Sequence, residues 1–510
     1  MQTGFILLGF AIAALSPLLT FSHLWQVKEW RADRLFDHLR SEGALRQLLG
    51  VIRLPVVLLC VVLAAANLLS PGIASGIAMT VLAAVALMQF AMRRQPMPVW
   101  TSKGKTITGL GFLLLLLGGT AAALCPRPAV PLLLPLLVLL APVFLMMAWT
   151  VLLPLDIFLK RKILNRASTL RAQYPGITVI GVTGSMGKTT TKELLACALG
   201  KDAAATPAYV NSEIGVGRWL TQQLSKAATP NILIVEMGAY RKGEIALLCS
   251  VAVPDLGVIT AIGSQHVALF GSQEALLEAK GELIEVLPEN GRAFINIDSA
   301  LAAKLKTKAR CPVTTVGTGG PSDCEAFDIE ETPRGIRFRV GEAQFSLPLH
   351  GTHNVTNVLL TIAVAEHLKI PRAVIAERLS RFAPLPGTFS VEEKNGVTIL
   401  NDTHNCSPES AAAAIRWAES QQAQEKILLT SGIIEQGKEA LLVHRELGKQ
   451  SVPVFPRVIF LNKKLAQFFA QGFGKNVEFY SKEISPVKPG ALLVCLGRMP
   501  RSAIERLLPR

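Results

Sequence analysis

The stretch GVTGSMGKTTTKELL, from Gly181 to Leu195, combines glycines, hydroxyls and a lysine in the order that a phosphate-binding loop requires. Glycines let backbone N–H groups turn toward an anion, and a helix beginning at the loop adds the positive end of its dipole. Lys188 would reach the terminal phosphates of a nucleotide, and the Thr189 hydroxyl would ligate magnesium. Gly184, Ser185, Gly187 and Thr190 complete the candidate cradle. The strict pattern GxxxxGK[ST] is not met, because Val182 stands five residues before Gly187, so a plain glycine turn competes with the functional reading.

Further along, Glu236 ends the apolar run NILIVE, where a carboxylate beside the loop can complete a magnesium shell with Thr189. Taken singly, Glu236 is also readable as a chance acid at a strand end. By the same standard, His266 after AIGSQ is a satisfied loop histidine, and Lys280 in SQEALLEAKGELIEVL is a solvated helix lysine. Asn354 and Asn357 in HNVTN lie three residues apart on one face of a helix start, where amides offer donors and acceptors to an adenine edge. A helix cap by Asn354 is the plain alternative.

Gly181, Thr183, Gly184, Gly187, Lys188 and Thr189 together resemble the loop of the Mur ligase family, G-x-T-G-[ST]-x-G-K-T-[ST]. The segments YVNSEIGVG, IVEMGAYRKGEI, GVITAIGSQHVALFGSQEALLEAKGELIEVLPENG, HGTHNVTNVL and ILNDTHNCSPES follow in that family's order. They look most like its branch that adds D-alanyl-D-alanine to a UDP-N-acetylmuramoyl-tripeptide, with good coverage from about residue 175 to 430. The resemblance implies ATP and Mg2+ as cofactors, and an acyl phosphate that an incoming amino acid or dipeptide attacks to leave an amide. It also implies a carbamylated Lys280, which with His266 and Glu236 would hold a second magnesium. Asp402 would contact the nucleotide from the C-terminal domain, and Asn405 matches the same motif. Asn211, Glu213 and Gly215 would line the substrate side. The acceptor would be a carboxylate on a UDP-linked or lipid-linked muramoyl peptide in cell-wall, that is peptidoglycan, synthesis.

Elements to hold these residues are legible in the chain's alternation. From about Tyr174 onward, short β-branched runs (ITVIGVTG, NILIVEMG, LGVITAIG, AFINID) alternate with helical stretches, which predicts a mainly parallel sheet covered by helices. The segment DCEAFDIEETPRGIRFRVGEAQFSLPL reads as antiparallel strands, and APLPG near Pro384 to Gly387 as a hinge. The expected organisation is an α-helical membrane domain over 1–158, a basic linker over 159–174, a P-loop α/β central domain over 175–384 and a smaller Rossmann-like α/β domain over 385–510.

The membrane expectation rests on apolar runs such as GFILLGFAIAALSPLLTF, LPVVLLCVVLAAANLL and AVPLLLPLLVLLAPVFLMMAWTVLLPL, read as five transmembrane helices. A cleaved signal peptide fits the first run poorly, since no basic region precedes it. Lys28, Arg31, Arg34, Arg40 and Arg46 follow the first span, Arg93, Arg94, Lys103 and Lys105 the third, and Lys160, Arg161, Lys162 and Arg166 the fifth, while the alternate loops hold only Arg127. That bias predicts an outside N-terminus and cytoplasmic catalytic domains on a multi-pass inner-membrane protein. Arg53, near a span start, is expected to snorkel.

The net charge of +15 in a chain with only 17% charged residues is therefore partly topological, and the lipid bilayer is its expected partner. No basic stretch interleaves with aromatics, which argues against nucleic acid. Eight cysteines without CxxC pairing give neither a zinc site nor a disulfide frame. Departures from the family remain: Thr388 stands where a hinge arginine is expected, SGIIEQG replaces GDMLELG, and CLGRMP leaves only Arg498 as a remnant of KGSR. A catalytically impaired ATP-binding membrane scaffold or sensor, or a ligase for a non-peptidoglycan amide, therefore stand as alternatives. A transporter is disfavoured by the lack of acidic or paired charges in the spans.

Overall fold

A computed structural model describes residues 2–41, 49–125, 132–263, 270, 272–332, 334–404, 406–434, 436–481 and 483–509. The chain divides into two units, Met1–Lys160 and Arg161–Arg510.

The first unit is helical. Four of its helices are long and apolar enough to cross a membrane: Gly4–Val27, Pro71–Ala91, Ser102–Leu124 and the apolar part of Ala141–Ala172. The second expected span is corrected: the helix Arg53–Ala65 has 13 residues, about 20 Å at 1.5 Å per residue, against a hydrocarbon core of about 30 Å. It ends because Asn67 turns at φ +55° and Ser70 caps the next helix ahead of Pro71. Arg46 and Arg127 of the topology argument lie outside the described residues. Arg53 does not snorkel: it is 8% exposed. Phe10, Leu18, Phe21, Met79, Leu82, Leu115 and Leu145 form the unit's core.

The basic segment 159–174 is a helix up to Ala172 and not a loose tether. Its Ala167 is in the core of the second unit, with Leu164 and Leu170 packed against it. Arg171 donates from Nε to the carbonyl of Ala252 (3.1 Å) and from Nη2 to that of Ile177 (3.1 Å), pinning the helix end beside the first strand.

The second unit holds two large sheets. In the first the order is β2-β3-β1-β4-β5-β6-β7, all parallel: β1 (Thr178–Thr183), β2 (Ala203–Ala205), β3 (Ile232–Glu236), β4 (Leu256–Ile259), β5 (Arg292–Asn296), β6 (Val313–Gly317) and β7 (Cys324–Glu325). Alternate residues of β1 enter opposite cores, Ile180 and Val182 on one face and Val179 on the other, as strand pleating requires. The expected antiparallel segment forms β8 (Phe327–Thr332), β9 (Gly335–Val340) and β10 (Ala343–Leu347), except that Cys324 and Glu325 extend the parallel sheet.

The other large sheet, β11-β12-β16-β13-β14-β15, begins after the Pro384–Gly387 turn. Its strands are β11 (Ser390–Lys394), β12 (Val397–Asp402), β13 (Lys426–Thr430), β14 (Arg457–Phe460), β15 (Glu478–Phe479) and β16 (Leu492–Leu496), with only the β11–β12 pair antiparallel. In sheets of parallel strands, α/β folds bind ligands beyond the carboxyl ends of the strands. Thr183, Glu236 and Asp402 all stand at such ends.

Candidate functional site

The loop after β1 is built by backbone conformations that a side chain would disrupt. Gly184 has φ +152°, and a Cβ there would collide with the Thr260 hydroxyl; Gly187 has φ +78°, and a Cβ there would collide with the Asn357 amide. Ser185 N–H donates to the Ala261 carbonyl at 2.8 Å, and Thr260 Oγ1 donates to the Met186 carbonyl at 2.5 Å, so the loop is held from β4's side. The helix Lys188–Leu199 starts immediately after Gly187, with its N-terminal amides at the loop. The Ser185 hydroxyl is buried without a hydrogen-bond partner among the described residues, as expected of a group that waits for a ligand. This cradle fits a polyphosphate.

Lys188 folds back on the loop, donating from Nζ to the carbonyls of Gly184 (2.8 Å) and Ser185 (3.0 Å). Desolvation pulls its ammonium below the ordinary lysine range, and Glu236 opposes that shift. Thr189 Oγ1 lies 3.1 Å from both oxygens of Glu236, and Asn211 Nδ2 donates to Oε1 at 3.2 Å. Asn211 thus belongs with the Glu236 cluster, while Glu213 begins the helix Glu213–Leu224 two residues on. Thr206 Oγ1 accepts from the Glu236 N–H at 3.1 Å and fixes the strand end.

A hydroxyl and a carboxylate side by side are hard oxygen donors of the kind magnesium takes when phosphates and water fill the remaining positions. Among the described residues no group of three or more His, Cys, Asp and Glu side chains could hold a metal by itself. The donor set fits an ion shared with a nucleotide and not an all-protein cage. His266, expected in the second metal site, lies outside the described residues, as does Asn405 of the substrate set.

Lys280 is not a solvated helix lysine. It is 1% exposed on the helix Gln273–Glu285. Burial lowers its pKa well below the ordinary value, the Lys188 charge lowers it further, and Glu244, Glu282 and Glu236 act in the opposite direction. Glu282 itself caps the helix Glu244–Ala252, accepting from Gly243 N–H (2.6 Å) and Ala246 N–H (2.9 Å).

Asn354 and Asn357 are buried and bonded to each other, Asn357 Nδ2 to Asn354 Oδ1 at 2.9 Å. Asn357 Oδ1 also accepts from Thr191 Oγ1 at 3.3 Å, and Asn354 Nδ2 donates to the His350 carbonyl at 2.8 Å. The pair braces the loop from behind. Asp402 is buried as well; its carboxylate accepts from the Ser410 hydroxyl and from Phe389 N–H (3.2 Å), and burial raises its pKa above the usual carboxylate range. Its oxygens therefore join the hinge to the helix Pro408–Ser420.

Sequence reasoning missed several members. Lys192, one helical turn beyond Lys188, is fully buried with Nζ 3.0 Å from Glu193 and 3.4 Å from Glu236; the four-residue spacing in KTTTK was the available signal. Tyr209 meets His404 edge-on at 4.5 Å, and Trp417 Nε1 donates at 3.1 Å to Glu331, whose Oε1 is 2.8 Å from His350 Nδ1. The first contact ties the loop after β12 to the segment after β2, and the second ties the helix Pro408–Ser420 to β8; no local pattern announces them.

The family model for the Mur ligase middle domain matches residues 182–365. The UDP-N-acetylmuramoyl-tripeptide--D-alanyl-D-alanine ligase of Bacillus subtilis (strain 168) is 35% identical over 310 residues, 60% of this chain and 67% of that protein. Across other relatives so named, this chain spans from 50% to 75% of their length. Among solved structures, the MurF ligase from Thermotoga maritima in complex with ADP aligns with a TM-score of 0.59 at 27% identity, covering 68% of this chain and 82% of that one. MurF from Acinetobacter baumannii aligns with a TM-score of 0.62 at 23% identity, covering 68% and 80%, a likeness of fold.

Proposed function

Because this chain belongs to the Mur ligase family of ATP-dependent acid–amino acid ligases, we propose that it makes an amide bond in cell-wall precursor synthesis, in the manner of MurF. The observation that carries this reading is the Glu236 carboxylate gathering Thr189, Asn211 and Lys192 directly beside the phosphate loop. Carboxyl activation by ATP asks a protein for positioning and charge neutralisation and needs no nucleophilic side chain. A magnesium ion held by Thr189 and Glu236 would neutralise the phosphates. Lys188 would swing from the carbonyls of Gly184 and Ser185 to the terminal phosphate, exchanging two neutral acceptors for a charged one. The acceptor carboxylate oxygen then attacks the γ-phosphorus and ADP leaves; the amine attacks the acyl carbon and phosphate leaves. Lys280, held with a depressed pKa, is suited to be a neutral amine that takes up CO2 and becomes an anionic carbamate. Asn211, Glu213 and Asn405 are assigned to the acceptor side, His266 to the metals and Asp402 to the hinge that positions the nucleotide.

The four long apolar helices precede the matched middle domain, and we read them as taking the place of a domain for the UDP-sugar. The acceptor is accordingly assigned to the cytoplasmic membrane face, on a lipid carrier; four crossings, an even number, do not carry the outside N-terminus expected from five. Anchoring raises the effective concentration of such an acceptor. Acceptor-dependent phosphate release from the purified protein tests the reading, with lipid-linked and soluble UDP-linked muramoyl tripeptide as separate arms. Lys188→Ala should lower release by roughly 100-fold or more while leaving the unfolding transition intact. ATP binding without release on any acceptor would favour the scaffold, as Thr388 at the hinge already suggests. Equal turnover of the soluble tripeptide with no turnover of the lipid-linked one would remove the membrane assignment alone.

A further inference from the structure

The helical unit contains a buried cation that the ligase chemistry does not use. Arg53, the first residue of Arg53–Ala65, is 8% exposed, and its Nη2 donates to Ser16 Oγ at 2.8 Å. Ser16 passes the bond on to Gln89 Oε1 at 2.5 Å. Gln95 closes on the same residue, donating from Nε2 to the Ser16 carbonyl (3.1 Å), to Thr20 Oγ1 (3.1 Å) and to the Pro96 carbonyl (3.0 Å). Gln95 is 9% exposed, yet its Oε1 is buried without a hydrogen-bond partner among the described residues.

Two unmet needs therefore belong to side chains that both bond to Ser16. A guanidinium has five N–H donors, and among the described residues a single hydrogen bond engages this one. None of their carboxylates forms an ion pair with it: Glu29 pairs with Arg34, and Asp156 with Lys103 and Lys160. A buried charge without a counter-ion is costly in an apolar bundle and marks a binding function there. The Gln95 oxygen asks for a donor. A phosphate monoester answers both, with oxygens for the guanidinium and a hydroxyl for the amide. The surroundings favour a phosphate that carries an alkyl chain. Val51, Leu58, Leu59 and Val62 project exposed apolar surface on and beside the short helix that begins at Arg53.

We propose that Arg53, with Ser16, Gln89 and Gln95, forms a binding site for the phosphate monoester group of a membrane lipid. The site lies wholly in the helical unit and does not depend on the ligase reading.

The test uses the full chain in dodecyl maltoside micelles and follows its thermal unfolding during titration with dodecyl phosphate, with inorganic phosphate alone as the second arm. The wild-type chain should be stabilised saturably by dodecyl phosphate, and inorganic phosphate at 100-fold higher concentration should have no effect. Arg53→Gln should raise the half-saturating concentration roughly tenfold or more, and Arg53→Lys by less, since it keeps the charge but loses the fork. Should Arg53→Gln fail to fold, Gln95→Leu leaves the guanidinium in place and should weaken dodecyl phosphate several-fold. Equal titrations for wild type and the variants would overturn the proposal and make Arg53 a structural pin. Equal stabilisation by inorganic phosphate would overturn the lipid assignment.

Discussion

Lys192 and Arg53 are both buried cations, one in each unit, and they are treated in opposite ways. Lys192 sits within ion-pair distance of two carboxylates, Glu193 and Glu236, and one of these also serves the phosphate loop. Arg53 rests on a serine hydroxyl. The catalytic unit thus balances its buried charge from its own side chains. The helical unit leaves a charge open to an outside partner. Net charge cannot reveal this difference, because both residues add the same +1 to the chain's +15.

Removing a carboxylate next to Lys192 has the largest expected effect. Glu236→Gln removes one of the two carboxylates beside buried Lys192 and leaves Glu193 at 3.0 Å, a partial loss of partners that costs about 1–3 kcal/mol. Chemical unfolding of the catalytic unit should show a loss of that order, together with a fall in phosphate release of roughly 100-fold as the magnesium ligand disappears. Arg53→Gln, measured in micelles without added phosphate lipid, should change stability by less than about 1 kcal/mol, or raise it, because it removes a charge that had no partner. Similar losses in the two variants would mean that the two cations are in equivalent environments after all.

A smaller effect is expected where the loop meets its brace. Gly187→Ala places a Cβ on a φ of +78° and against the Asn357 amide. The conformational part alone costs about 1–2 kcal/mol, and the displaced loop should bind ATP at least tenfold more weakly. Combining it with Asn357→Ala relieves the collision but not the left-handed backbone. The double variant should recover part of the lost stability in an unfolding titration. No recovery would show that Asn357 does not buttress the loop.

Much of this site was legible because its signals are local. The loop's glycines and hydroxyls lie within ten residues, and Glu236 is announced by the apolar strand it ends. The roles of Asn354, Asn357 and Asp402 were less legible, since a motif names the residue and not the direction of its amide or carboxylate. In the fold these groups are turned toward the loop helix and the hinge. The 13-residue helix from Arg53 was read as a full span because hydropathy alone passes over Asn67, where the backbone turns left-handed. Arg53's burial depends on Ser16, 37 residues away, and Tyr209 meets His404 across a still longer separation. Contacts of that kind arise from packing and leave no periodicity.

Acid should create in the catalytic unit the situation that Arg53 already occupies. His444 is buried in the helix Ala440–Ser451; its Nδ1 donates to the Ala440 carbonyl at 2.6 Å and its Nε2 accepts from Ile433 N–H at 3.0 Å. That arrangement requires a neutral ring, and burial lowers its pKa below the ordinary histidine value despite the Ala440 bond. The unfolded chain takes up this proton near pH 6.5, whereas the folded one resists until lower pH. Stability is therefore fully present above about pH 6.5 and falls as the pH drops toward the folded-state value, with a slope of at most about 1.4 kcal/mol per unit. Protonation would set Nε2–H against Ile433 N–H and leave a buried cation without an anion. His444→Leu should remove this part of the acid slope between about pH 6.5 and 5 at some cost in stability at neutral pH. An unchanged slope in the variant would shift the acid sensitivity to other groups and leave the buried imidazole without a part in it.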